Sequence, residues 1–210
     1  MSTPTDHPTD RPTDRPTDRW AKARNAVLRA FLYCAGLAWA GTALADEALW
    51  KRIAQGGVAV MIRHAQTVPG VGDPPGFRIG DCSTQRNLSE EGRAQARRLG
   101  AAFKARGIKP ARVLSSQWCR CIDTATEAFG RQQPEPALNS FFDDRGTAPA
   151  QSEAVRKLIA GVKRSEVLVL VTHQVNITAI AGEAAVQGEM FVFVPAGKDS
   201  AKLAGRIPAP

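Results

Sequence analysis

Three runs of consecutive apolar residues stand out along the chain: Val58–Ile62 (VAVMI), Val167–Val171 (VLVLV) and Phe191–Val194 (FVFV). Near-continuous runs rich in β-branched residues fit strands covered on both faces, as in a parallel α/β sheet. Between them the apolar positions change period. In LSEEGRAQARRLGAAFKARG, Ser89 reads as an N-cap, Glu90 and Glu91 as a first turn and Gly107 as a stop, with Leu99 and Phe103 four apart on one face. ARVLSS predicts a short strand, followed by a helix from about Trp118 to Phe129 that ends at Gly130. Val155, Leu158, Ile159 and Val162 recur at helical spacing within Ser152–Lys163, and an Ala-rich helix is expected from Asn176 to about Val186. The order β-α-β-α-loop-α-β-α-β predicts one α/β domain, a three-layer α/β/α sandwich with a mostly parallel central sheet.

The first 45 residues carry no such pattern. Residues 1–19 contain the tandem PTDHPTDRPTDRPTDR, which has almost no apolar surface to offset the entropy of ordering, so a disordered low-complexity tail is expected. Residues 20–45 have the parts of a signal peptide: basic Lys22, Arg24 and Arg29, an uncharged run from Ala30 to Ala45, and small residues at Ala43 and Ala45 before Asp46. A spanning helix wants roughly 20 apolar residues, and this run is shorter and rich in Ala and Gly. Cleavage, a domain at 46–210 and a periplasmic or secreted location are therefore expected, with an uncleaved anchor as the competing reading.

Charge changes the picture modestly. Of the 28 Lys and Arg and the 20 Asp and Glu, six and four precede Asp46, which leaves the domain 22 basic against 16 acidic side chains, a net +6. Such an excess would draw anionic substrates into a cleft. Nucleic acid is not the expected partner, because the basic residues are scattered and aromatics are few.

Only two histidines lie in the domain, and each sits just past an apolar strand: His64 after Val58–Ile62 and Arg63, and His173 after Val167–Val171 and Thr172. In open α/β sheets the ligand crevice lies outside the carboxyl ends of the strands. Either histidine alone is read as a polar residue closing a strand; the pair, with the segments around it, is read as a site.

Those segments carry a family resemblance. IRHAQT resembles the Arg-His-Gly motif of the histidine phosphatase superfamily, the phosphoglycerate-mutase-like fold. NLSEEGRAQARRLG resembles its Leu-Ser/Thr-x-x-Gly-x-x-Gln-Ala helix, and VLSSQWCRCIDTA its Ser-Ser-x-x-x-Arg-x-x-x-Thr-Ala segment, which places Arg120 and Thr124. VTHQVNITAIAG resembles the second-histidine segment. These ordered motifs cover most of Val58–Gly182. Together with PGVGDPPGF, DCSTQRNLS and SSQWCRC they resemble exported bacterial members, among them the lipopolysaccharide core heptose phosphate phosphatases.

The resemblance implies a phosphomonoesterase that works through phosphohistidine. Arg63 and Arg120 offer planar, permanently charged forks for a phosphate. His173 would add a donor, and neutral His64 would attack phosphorus. No metal and no cofactor is expected, since two histidines without a carboxylate cluster make a poor metal site. The leaving oxygen needs an acid. One branch of the superfamily has a carboxylate directly after the second histidine, where this chain has Gln174. The other has a Glu in a Leu-x-Glu stretch, where ALNSFFDDRG offers Ser140. Asp143 is the candidate acid, with Asp144 beside it; a solvated loop or a helix cap is the alternative for both. Ala65 stands where the motif has Gly. Gln66 and Thr67 are read equally as substrate contacts or turn residues.

Cys82, Cys119 and Cys121 are disulfide candidates. A bridge from Cys82 to either of the others would clamp the loop after the first strand beside the phosphate pocket, whereas Cys119 and Cys121, two apart on a helix, point away from each other. GVGDPPGFRIGD, rich in Gly and Pro, is read as the cleft rim, where specificity would be set. The substrate expected is a small-molecule or glycolipid phosphate monoester, with a cell-envelope sugar phosphate suggested by the exported relatives. Two alternatives stand beside it: a phosphoglycerate-mutase-type isomerase, and a non-catalytic phospho-ligand binding module without a general acid.

Overall fold

The computed structural model describes residues 46–210; the tail and the signal segment expected over residues 1–45 lie outside the described residues. The described part begins with a helix over 46–54 (α1). There follow β1 (Val58–Arg63), α2 (Glu90–Ala105), β2 (Arg112–Ser115), α3 (Cys119–Phe129), β3 (Gln133–Pro134), α4 (Ala148–Ala160), β4 (Val167–Thr172), α5 (Gln174–Ala181), β5 (Met190–Pro195) and β6 (Ala201–Ile207). One six-stranded sheet has the order β3-β2-β4-β1-β5-β6. Its first four strands run parallel, and β5 and β6 return antiparallel to their neighbours. This is the mostly parallel α/β sheet expected from the apolar runs.

Alternation along β1 divides the core. Val58, Val60 and Ile62 face a cluster with Trp50 and Ile53 of α1, Leu99 and Phe103 of α2 and Ala125 of α3. Ala59 and Met61 face the other side, with Val155 and Ile159 of α4 and Ile177 of α5. Side chains on successive strand positions point to opposite faces, so a strand buried on both faces must be apolar throughout. The three layers follow from that.

Two helices have ends that differ from those expected from apolar spacing. The fourth helix starts at Ala148, not Ser152, with Pro149 in its first turn, where proline's fixed φ and missing N–H cost nothing. The last helix runs Gln174–Ala181 with His173 as its N-cap, and stops at Gly182, whose φ of +77° is left-handed. α1, β3 and β6 were not signalled. Ser89 does cap α2, its side chain accepting from the Gly92 amide.

Candidate active site

Strand register brings the two histidines together. β4 lies between β2 and β1, and Arg63 pairs with Thr172 while Ser115 pairs with Val171. His64 and His173 thus leave neighbouring parallel strands at the same level. Their ring centroids are 5.5 Å apart and their planes are inclined at 65°. Arg120 comes from the first turn of α3, which follows β2, and its Nη2 lies 3.5 Å from His173 Nδ1. Arg63, the last residue of β1, donates from Nη1 to the Ala185 carbonyl at 2.8 Å. All four line one open cavity of about 610 Å³.

Each imidazole has a defined seat. His64 Nδ1 lies 2.9 Å from the Ala65 carbonyl, and donating there leaves the lone pair on Nε2. The Ala65 amide donates to Thr124 Oγ1 at 2.9 Å, and Thr124 donates to the Arg120 carbonyl at 2.7 Å, tying the β1 turn to α3. His173 Nε2 is 2.8 Å from Ser116 Oγ, which is 3.3 Å from Asn139 Oδ1. That amide oxygen can only accept, so Ser116 donates to it and takes the His173 Nε2–H. Nδ1 of His173 is then the free lone pair facing Arg120.

Electrostatics keep both rings neutral. Burial, then the positive charge of Arg120, push His64 down to about 3, with Arg63 and Arg86 adding to the effect. Burial and Arg120 also hold His173 well below the ordinary histidine range. Arg120 is buried and its Nε has no hydrogen-bond partner; Arg63 Nε is likewise buried and unpaired. Such orphaned charged donors are costly in a finished structure. An anion in the cavity would satisfy them.

The remaining expected residues fall in different places. Asp143 is exposed on the cavity wall, with Ser140 and Gln174 nearby on the same lining. Asp144 instead accepts from the Gly146 amide at 3.0 Å and caps a short 3-10 turn. Neither Gln66 nor Thr67 lines the cavity. The Gln66 carbonyl receives the Ser89 amide at 3.0 Å, and Thr67, buried, receives Gln187 Nε2 at 3.1 Å and an Arg86 guanidinium hydrogen bond. Cys82 is bridged to Cys119, while Cys121 is a free buried thiol that burial pushes up to about 12. Among the described residues no three His, Cys, Asp or Glu side chains gather to hold a metal ion.

Three charged cavity residues went unread in the sequence. Arg86 and Arg145 bring the guanidinium groups of the lining to four, and Asp73 adds a carboxylate. Arg86 sits inside the DCSTQRNLS stretch, and Asp73 is the lone charge of PGVGDPPGF, the first part of a Gly- and Pro-rich rim that ends with Arg78 and Asp81. A single ionisable residue in a loop built for tight turning is the signal that could have singled out Asp73.

A sequence model of the histidine phosphatase superfamily (branch 1) matches residues 59–146. No curated protein matches the chain. Among solved structures it resembles SixA of Agrobacterium tumefaciens, described as a phosphohistidine phosphatase, at a TM-score of 0.50 and 22% identity, covering 73% of this chain and 98% of that one. A SixA protein histidine phosphatase complexed with tungstate gives 0.52 at 14% identity, with 72% and 97% covered. A mycobacterial glucosyl-3-phosphoglycerate phosphatase in complex with VO3 gives 0.51 at 19%, with 70% and 96% covered. At such identities the likeness is one of fold, and function has to be argued from the site.

Proposed function

Taking as premise that the chain belongs to the histidine phosphatase superfamily, we propose that it is a phosphomonoesterase whose nucleophile is His64. The observation that carries this is the pairing of two neutral imidazoles, 5.5 Å apart, with Arg120 reaching the same spot from another element. His64 Nε2 holds the lone pair and would attack phosphorus in line with the ester oxygen. The N–P bond forms as the P–O bond breaks, and the transition state spreads charge over three equatorial oxygens. Arg63, Arg86 and Arg120 face that charge. His173 is kept neutral first by burial and then by the Arg120 charge. A bound dianion offsets the second and gives a protonated Nδ1 an acceptor, so His173 can donate to a phosphate oxygen. The leaving oxygen takes its proton from Asp143, the exposed carboxyl on the cavity wall. Water, giving up a proton to the Asp143 carboxylate, then attacks phosphorus and breaks the N–P bond, which releases phosphate and restores both His64 and the acid.

The relatives in the fold comparison include phosphatases seen with tungstate and VO3, both phosphate-like oxyanions, which supports an oxyanion pocket here. The finer reading is an exported enzyme, periplasmic or secreted, acting on a cell-envelope sugar phosphate; the signal-like residues 20–45 and the sequence resemblance support it. A binding module remains the second reading, because Gln174 and Ser140 occupy the two places where the superfamily carries its acid. Hydrolysis of p-nitrophenyl phosphate tests both, since its good leaving group needs little acid help. Turnover is expected in the wild type, with a phosphorylated enzyme trapped on rapid quenching. His64→Ala should lower kcat by on the order of 10³-fold or more and abolish the trapped species. Undiminished turnover in that variant would remove His64 from the chemistry; no turnover with intact phosphate binding would favour the module.

A further inference from the structure

We propose that Asp73 is a positioning residue for the oxyanion: it ties one side of the Arg120 guanidinium so that the other side faces the phosphate. This rests on the phosphatase reading of the cavity and extends it to a residue outside the histidine and arginine motifs. Asp73 reaches in from the loop between β1 and α2, and its side chain and that of Arg120 are 4% and 5% exposed. Arg120 Nη1 donates to both Asp73 oxygens, at 2.7 and 3.0 Å. Oδ1 also accepts from the Arg86 amide at 2.9 Å, and Oδ2 from the Trp118 indole at 3.0 Å. The carboxylate is thus fully occupied.

What this leaves on Arg120 is the point. With Nη1 held, the free edge of the fork is Nε and Nη2, the edge that suits two parallel bonds to an oxyanion. Nε is buried without a partner, and Nη2 has only the 3.5 Å contact with His173. The loop is fastened to the same turn of helix on three consecutive residues. Trp118 holds Asp73, Cys119 is bridged to Cys82 and donates its amide to Gln85 Oε1 at 2.9 Å, and Arg120 holds Asp73 again. A side chain braced in this way sets direction.

Two other roles fit less well. A plug occupying the anion's place would have to break four hydrogen bonds each time substrate arrived. A proton donor would need its proton: burial raises the Asp73 carboxyl, but hydrogen bonds from Arg120, the Arg86 amide and Trp118, with the Arg120 charge, outweigh it and hold the group below the usual carboxylate range.

The roles part in one experiment on the full chain, with orthophosphate affinity measured by calorimetry and kcat/KM measured on p-nitrophenyl phosphate and on an alkyl phosphate. Asp73→Asn is expected to weaken orthophosphate binding and both kcat/KM values together, on the order of 10- to 100-fold. In an Arg120→Ala background the same substitution should change nothing further. Trp118→Phe, which removes one donor to Asp73 and keeps a ring, should act in the same direction by a few fold, and it decides the matter if Asp73→Asn does not fold. Tighter phosphate binding would mean a plug, and a loss confined to the alkyl ester would mean an acid. An equal loss in the Arg120→Ala background would mean a general structural role. Each of these overturns the proposal while leaving the phosphatase reading standing; a wild type that neither binds orthophosphate nor turns over removes both.

Discussion

His64 and His173 are rings held where their charged forms are disfavoured, and that has a consequence for stability as well as catalysis. In the unfolded chain a histidine titrates near its ordinary value of about 6.5. In the folded protein burial and the Arg120 charge push His64 down to about 3 and His173 well below its ordinary value. Between these limits the unfolded state binds protons that the native state refuses. Stability is therefore complete above about pH 6.5 and falls as the solution is acidified toward 3, by about 1.4 kcal/mol per pH unit for His64, with His173 acting in the same direction. Urea unfolding of the wild type between pH 7 and 4.5 should show this slope, and His64→Asn should reduce it by nearly one proton. A slope untouched by the substitution would mean that His64 protonates freely in the folded state. The same low value makes His64 a neutral nucleophile throughout the range where phosphate esters are dianions.

At the scale of elements, the position of the site depends on how closely α2 can approach the turn after β1. A Cβ built on Gly92 would lie 1.8 Å from the Gln66 carbonyl oxygen, and one on Gly100 would lie 2.0 Å from the Ala128 carbonyl oxygen in α3. Alanine is normally better than glycine inside a helix by about 1 kcal/mol. Here the clash is with backbone and cannot be relieved by a rotamer change, so Gly92→Ala should destabilise the fold by about 1–3 kcal/mol or more. Urea midpoints would show it, and kcat should fall as well, because Gln66 is only two residues from His64. A more stable Gly92→Ala protein would contradict the close packing. Gly92 was legible in the sequence only as a letter of a motif; its reason is a contact between elements that no local pattern reveals. The same distinction separates the strands. β1, β4 and β5 announce themselves because both faces are buried, which makes them apolar throughout. β6 (AKLAGRI) is an edge strand with one exposed face and glycine at 205, and β3 is two exposed residues, so neither has an apolar run to betray it. The ends of β1 and β4 held the histidine pair in plain view, whereas the Asp73–Arg120 pair joins a loop to a helix 47 residues on and has no periodicity at all.

For the molecule as a whole, the Cys82–Cys119 bridge separates what holds the fold together from what holds the site. The two cysteines are 37 residues apart in sequence. Closing a loop of that length removes unfolded-chain entropy worth about 4 kcal/mol in the chain-entropy model. That is a large share of the roughly 5–15 kcal/mol by which domains are usually stable. In the native state, however, the bridge is one of several ties between this loop and the first turn of α3. Gln85 and Asp73 make the others through hydrogen bonds to Cys119, Trp118 and Arg120. A constraint that acts mainly on the unfolded chain should be felt in stability before it is felt in catalysis. Reduction with dithiothreitol, or Cys82→Ser, is thus expected to shift the urea midpoint well to lower concentration. Activity at 25 °C in the absence of urea should stay within a few fold of the oxidised value. Saturating orthophosphate at about 100 times its Kd should restore about 2.7 kcal/mol of the lost stability, because it binds only the folded cavity. If activity were instead lost under conditions where far-UV circular dichroism shows the reduced protein folded, the hydrogen bonds alone would not hold the loop. The bridge would then be part of the catalytic apparatus and not only of the scaffold.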